Sequence, residues 1–206
     1  MPPRHAKALA HLRAVDPVLG RWIDTAGACG WRREQDGTHF DHIARSIVYQ
    51  QLSGAAASTI HGRVLALFGG RAPTPAEVLR TPGARLRAVG LSGRKVEYLK
   101  DLARHAHAKT LGIDALHDMA DAEVIATLTQ VRGIGEWTAQ MVLMFRLGRP
   151  DVLPVLDLGI QKAIKLLYGL RTHPTPARVA KVGARWAPYR TVASWYLWRR
   201  VDDPPQ

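Results

Sequence analysis

Residues 121–148 read DAEVIATLTQVRGIGEWTAQMVLMFRLG, and this stretch decides the fold. Two amphipathic segments, the first with Val124, Ile125 and Leu128 at helical spacing, flank Gly133-Ile134-Gly135, a joint too short for anything but a tight helix-to-helix turn. Gly133 can take a positive φ, and Gly135 removes a side chain where the second helix begins, so free backbone amides there can approach a phosphate. Ile134 would anchor the turn by packing inward. An ordinary corner between two helices reads the same way, so the glycines alone leave both readings open. Glu136, in the first turn, suits the helix dipole but would repel a phosphate unless its side chain points aside.

Working outward, apolar residues recur at helical spacing almost throughout, as at Ile43, Ile47 and Val48, and alternating β-branched runs are scarce; the expected fold is all-α. Helix starts are marked by Asp16-Pro17, Ser92, Asp121, Asp157 and Thr175-Pro176, where a short polar acceptor can cap free amides and proline suits the first turn. Stops are expected at Gly30, Gly69-Gly70, Gly90, Gly112 and Gly169. No solenoid period or low-complexity segment is present, and the densest breakers, Gly69 to Pro75 and Arg171 to Pro176, are short enough to be connections inside one compact fold.

The 206 residues carry 29 Lys+Arg against 17 Asp+Glu, a formal charge of +12, which attracts polyanions and points to nucleic acid, although a solvated basic surface would have the same composition. A single cysteine, Cys29, excludes an internal disulfide or a multi-thiolate metal site within one chain. Arg4, His5, Lys7 and Arg13 interrupt the N-terminal apolar positions, unlike a signal peptide, and no apolar run is long enough to cross a bilayer. A cytoplasmic location is expected, nucleoid-associated in a bacterium.

Gly133-Ile134-Gly135, followed by Trp137-Thr138-Ala139 and continuing through Pro150-Asp151-Val152 to Asp157, resembles the signature of the helix-hairpin-helix (HhH-GPD) base-excision DNA glycosylases, in the AlkA-like 3-methyladenine branch. The resemblance runs over residues 37–200 and is strongest over 131–165. It implies one compact unit, 1–206, made of two helical lobes with the active-site cleft between them. Residues 39–171 would form a central lobe with the hairpin at 121–147, and residues 1–38 and 172–206 the second lobe. The larger AlkA-like enzymes also carry an N-terminal β-sheet domain, for which this chain shows no strand pattern.

Asp157, at the start of an apolar-periodic helix in Leu153-PVLDLGI, reads in isolation as an N-cap. The resemblance makes it the catalytic carboxylate, and the two roles are compatible because a helix N-terminus also keeps a carboxylate ionised. Cleaving a base from its sugar leaves positive charge on the sugar ring; at about 4 Å and an effective dielectric near 20, a carboxylate stabilises that charge by roughly 4 kcal/mol, on the order of a thousandfold in rate. Where some relatives place a nucleophilic lysine, this chain has Trp137, which cannot form a Schiff base, so water-mediated release without strand cleavage (no AP lyase activity) is expected.

By the same resemblance, Trp137, Trp198 and Tyr49 line the base pocket, Gln51 with Gln50 forms the wedge that fills the vacated stack, and Gly133, Ile134, Gly135, Thr138, Arg94 and Lys95 contact backbone phosphate. Core packing for the tryptophans, an exposed helix end for Gln50 and Gln51, and a solvated face for Arg94 and Lys95 remain open readings; Trp186 and Trp195 read as core. The histidines show no paired metal spacing, and no four-cysteine iron–sulfur site exists. No cofactor or metal is expected, although the family resemblance allows a monovalent cation held by hairpin carbonyls. The expected activity is removal of alkylated purines from duplex DNA by a monomer. Alternatives are a glycosylase for oxidised or etheno bases, or a non-catalytic DNA-binding protein.

Overall fold

The computed structural model describes residues 5–202, and every regular element among them is helical. Residues 1–4, including the Arg4 of the N-terminal reading, and 203–206 lie outside the described residues. The chain opens with α1 (Ala6–Val15) and α2 (Pro17–Ala26), continues through α3 (His39–Tyr49), α4 (Gly54–Leu67), α5 (Pro75–Arg80), α6 (Gly83–Ala88), α7 (Gly93–Ala108), α8 (Asp121–Leu128) and α9 (Glu136–Met141), and closes with α10 (Leu158–Leu167), α11 (Pro176–Gly183) and α12 (Arg190–Asp202). Val142–Leu147 prolongs α9 as a π-helix.

Two units result: Met1–Arg33 with Gly148–Gln206, and Glu34–Leu147. This differs from the expected division at both ends of the central segment. Residues 148–171 group with the terminal segments because α10 buries Ile160, Ala163 and Ile164 in one core with Leu12, Leu19, Trp186 and Tyr196. Residues 34–37 group with the central segment because the Arg146 guanidinium gathers their carbonyls, with Nη1 donating to Glu34, Gln35 and Asp36 O at 3.2, 3.0 and 3.2 Å and Nη2 to Gly37 O at 2.6 Å.

Capping chemistry sets most boundaries. Ser92, Asp157 and Thr175 each accept a backbone amide at the start of α7, α10 and α11. At α8 the expected cap, Asp121, is instead the first helical residue, and the Glu123 carboxylate reaches back to accept from Ala120 N at 2.8 Å. Gly69, Gly70, Gly90, Gly112 and Gly169 all have positive φ, as expected of helix stops, whereas α2 ends at Gly27 (φ 79°) and not at Gly30.

The terminal unit is organised by Asp16, only 1% exposed. Its Oδ1 accepts from Val18 N and Leu19 N, both at 3.1 Å, capping α2, while Oδ2 accepts from the Trp186 indole at 2.8 Å and the Tyr168 hydroxyl at 2.5 Å. A buried carboxylate is tolerated only when its lone pairs are filled in this way. Asp16→Ala, which strips the cap and strands two buried donors, is expected to lower the unfolding free energy by about 2–4 kcal/mol in a urea titration. Asp24→Ala, which breaks only the exposed pair with Arg13, should shift it by less than about 0.5 kcal/mol.

Candidate functional site

In the central unit, α8 and α9 meet at the Gly133-Ile134-Gly135 turn. Gly133 has φ 77° and lies against the Tyr98 ring so closely that an added Cβ would fall inside it. A Cβ on Gly135 would meet nothing, leaving the start of α9 open to a ligand. Ile134 is 4% exposed and packs inward as expected. The first amides of any helix lack a carbonyl one turn back to bond, the arrangement that suits an anion. Glu136 does not obstruct them, since its Oε1 accepts from Gln140 Nε2 at 3.0 Å, one turn along the helix.

Beside the turn is a cavity of about 330 Å³ whose lining includes Gln50, Gln51, Arg94, Lys95, Gly133, Trp137 and Thr138. The structure thus brings together the expected wedge and phosphate residues, but gives some of them further partners. Arg94 is exposed. Lys95 Nζ donates to Val48 O at 2.7 Å, and burial holds its pKa below the usual lysine value. Gln51 is exposed at φ 56°, a conformation unusual for a residue with a side chain. Gln50 does not project beside it; its Nε2 donates to Gly133 O at 2.9 Å and Thr138 Oγ1 at 3.3 Å.

A second cavity, of about 200 Å³, is walled by Tyr49 and Trp137 with Met141, Val142 and Phe145, and edged by Glu34, His42, Arg45 and Arg146. Its size suits a single heterocycle and falls below the roughly 300–1,000 Å³ of drug-sized sites. Trp137 is 41% exposed, so it is a wall rather than core. The sequence reading did not find Met141 and Phe145, although they follow Trp137 at i+4 and i+8 and so share its helix face. Glu34, His42 and Arg45 carried no local signal. Glu34 accepts from Arg45 Nη1 at 2.9 Å and lies 3.0 Å from His42 Nδ1, while the Arg45 guanidinium sits 5.0 Å from the Tyr49 ring centre.

In the terminal unit, Asp157 caps α10 through Oδ1, which accepts from Ile160 N at 2.8 Å and also from the Trp198 indole N–H at 3.0 Å. Trp198 is therefore a partner of the carboxylate in its own unit. Gly159, also unnoticed in the sequence, leaves room for this bond, because a Cβ there would press on both Asp157 Oδ1 and Trp198. Among the described residues no group of three His, Cys, Asp or Glu side chains is placed to hold a metal ion.

A family model described as HhH-GPD superfamily base excision DNA repair protein matches residues 44–188. DNA-3-methyladenine glycosylase 1 of Schizosaccharomyces pombe is 34% identical over 196 residues, covering 94% of this chain and 86% of the relative. Among solved structures, a 3-methyladenine DNA glycosylase of S. pombe in complex with abasic DNA superposes with a TM-score of 0.87 at 32% identity, over 96% of this chain and 98% of that one. A DNA-3-methyladenine glycosidase from Bacillus halodurans gives 0.81 at 38% identity, over 95% and 89%.

Gly133→Ala, which combines a positive φ with overlap on Tyr98, should cost about 2–4 kcal/mol in chemical unfolding. Gly135→Ala should leave the unfolding midpoint within experimental error. Burial, aided by Arg146 and His117 and opposed by Asp114, pushes His39 down to about 4, with His42 adding a smaller downward push. The unfolded chain then binds more protons than the native one between about pH 4 and 6.5, so stability should be full above pH 6.5 and fall by about 2–3 kcal/mol as pH drops through that window. His39→Asn, which keeps an acceptor for Arg146 Nε, should flatten this part of the unfolding-versus-pH profile.

Proposed function

The chain belongs to the HhH-GPD superfamily of base excision DNA repair proteins, and from that premise we propose that it is a monofunctional DNA glycosylase that removes alkylated purines of the 3-methyladenine type from duplex DNA by attack of water. The observation that carries the reading is Asp157. This carboxylate lies within the matched region and is fixed by both the α10 amide and the Trp198 indole N–H, so it is oriented before any substrate arrives.

In this reading the Gly135 end of the turn holds a DNA phosphate on backbone amides at the start of α9, the arrangement that fits the bare approach at Gly135. The target nucleotide leaves the stack, Gln51 fills the vacancy, and the base is received on the Tyr49 and Trp137 walls. An indole face attracts a cationic purine more strongly than a neutral one, which favours alkylated bases. The charged base leaves readily, so no strong general acid is required. Asp157 stabilises the developing positive charge on the sugar and orients or deprotonates the attacking water.

Trp137 stands where lyase relatives carry a lysine, so no Schiff base forms and the strand stays intact. The hairpin carbonyls are the groups there suited to a monovalent cation. Those of Val131 and Gly133 each accept one N–H donor, which leaves each oxygen a second lone pair, and no step runs through an ion.

The test is release of free base from methylated duplex DNA. Asp157→Asn, which retains the capping oxygen, should lose about a thousandfold in single-turnover rate while keeping its affinity for DNA. Equal release by wild type and variant, or strand nicking by the wild type without alkali, would overturn the assignment.

A further inference from the structure

The two adjacent glutamines at the end of α3 do different work, although the sequence offers no reason to separate them. We propose that Gln50 is a positioning residue: a strut that couples the hairpin turn to the turn presenting Gln51, and so ties phosphate binding to insertion of the plug. The proposal rests on the reading above, in which Gln51 fills the vacated stack.

Gln51 holds φ 56° without being glycine, and such strain persists only where neighbouring groups over-determine the backbone. They do so on both sides. Before it, Lys95 Nζ grips Val48 O, Gln50 N bonds to Ser46 O at 3.2 Å, and the Gln50 side chain reaches Gly133 O and Thr138 Oγ1. After it, Ser53 caps α4 by accepting from Ala56 N. With its amide donors directed at the hairpin, Gln50 cannot enter the duplex without releasing the turn, so the bracing and plugging roles fall to separate residues.

The hairpin end of the strut is equally fixed. Carbonyl and amide of one peptide plane point opposite ways. Holding Gly133 O towards Gln50 therefore sets the Ile134 N–H, which bonds to Val131 O at 3.1 Å. A turn that flipped this plane would aim a carbonyl where an anion must sit. One face of α7 serves both ends: Lys95 holds the α3 end, Tyr98 lies against Gly133, and Asp101 Oδ2 accepts from Arg132 N at 3.0 Å. Phosphate clamp and plug are thus set at a fixed separation before DNA arrives, so energy gained at the phosphate is delivered to opening the stack.

A strut of this kind matters only when a paired base must be displaced. The test uses an oligonucleotide duplex with one alkylated purine released in the assay above, placed opposite either its normal partner or an abasic site, where unpairing is already done. Gln50→Ala and Gln50→Glu, the latter preserving shape but setting a carboxylate oxygen against Gly133 O, should slow single-turnover release from the paired site about tenfold while changing the unpaired site by less than about twofold. Gln51→Ala should show the same selectivity, and the double variant Gln50→Ala/Gln51→Ala should be no slower than the slower single variant.

Unchanged release from the paired site, equal losses at both sites, or multiplicative losses in the double variant would each overturn the strut. No release by the wild type from either duplex would instead remove the glycosylase reading on which it stands.

Discussion

The packing of the Tyr98 ring against Gly133 is the constraint on which the central unit's functional face depends. Nothing larger than a hydrogen fits on that α-carbon, so the turn between α8 and α9 needs glycine there, in the left-handed geometry that glycine permits. From that fixed point Trp137 becomes a cavity wall, Gly135 leaves open space where a Cβ would stand, and Gly133 O meets Gln50. The π-helical continuation of α9 then carries Phe145 and Arg146 to the cavity edge; departures from regular α-helix of this sort recur at functional sites.

The terminal unit uses one chemical device twice with different results. Asp16 and Asp157 both cap helices, and both accept an indole N–H as well. Asp16 is sealed from solvent, with Trp186 and Tyr168 as its partners, and holds helices together. Asp157 is only partly covered. A carboxylate held by fixed donors yet reachable by solvent loses little reorganisation energy when charge develops beside it, and that accessibility is what suits Asp157, rather than Asp16, to the role proposed for it.

Much of this was legible in the sequence because local signals govern it. The all-helical fold, the turn at Gly133-Ile134-Gly135 and the inward Ile134 followed from periodicity and glycine chemistry, and the pairing of Tyr49 with Trp137 in one cavity followed from family resemblance. Contacts made by residues distant in the chain were not legible. Nothing near Arg146 announces that it collects four carbonyls more than a hundred residues earlier, and the first boundary of the central unit moved to residue 34 for that reason. Gln50 and Gln51 are identical in type, and only tertiary placement separates them; Lys95 looked like a surface cation until its partner, Val48 O, was known. The Trp198 indole N–H bond to Asp157, made across about forty residues, likewise carried no local signal.

The Arg146 clasp has a bearing on how the chain reaches its native form. Because Glu34 N bonds to Phe145 O at 2.7 Å and the guanidinium binds residues 34–37, the two ends of the central unit lie side by side. During synthesis α1 and α2 emerge first, with Leu12, Leu19 and Ile23 awaiting the partners that α10 and α12 supply much later. A central unit that folds on its own in the interval replaces a long flexible loop with a short rigid bridge, removing most of the chain entropy that would oppose the late docking. Loosening the clasp would then show first as slower assembly and greater aggregation of newly made chains, before any loss in the finished molecule.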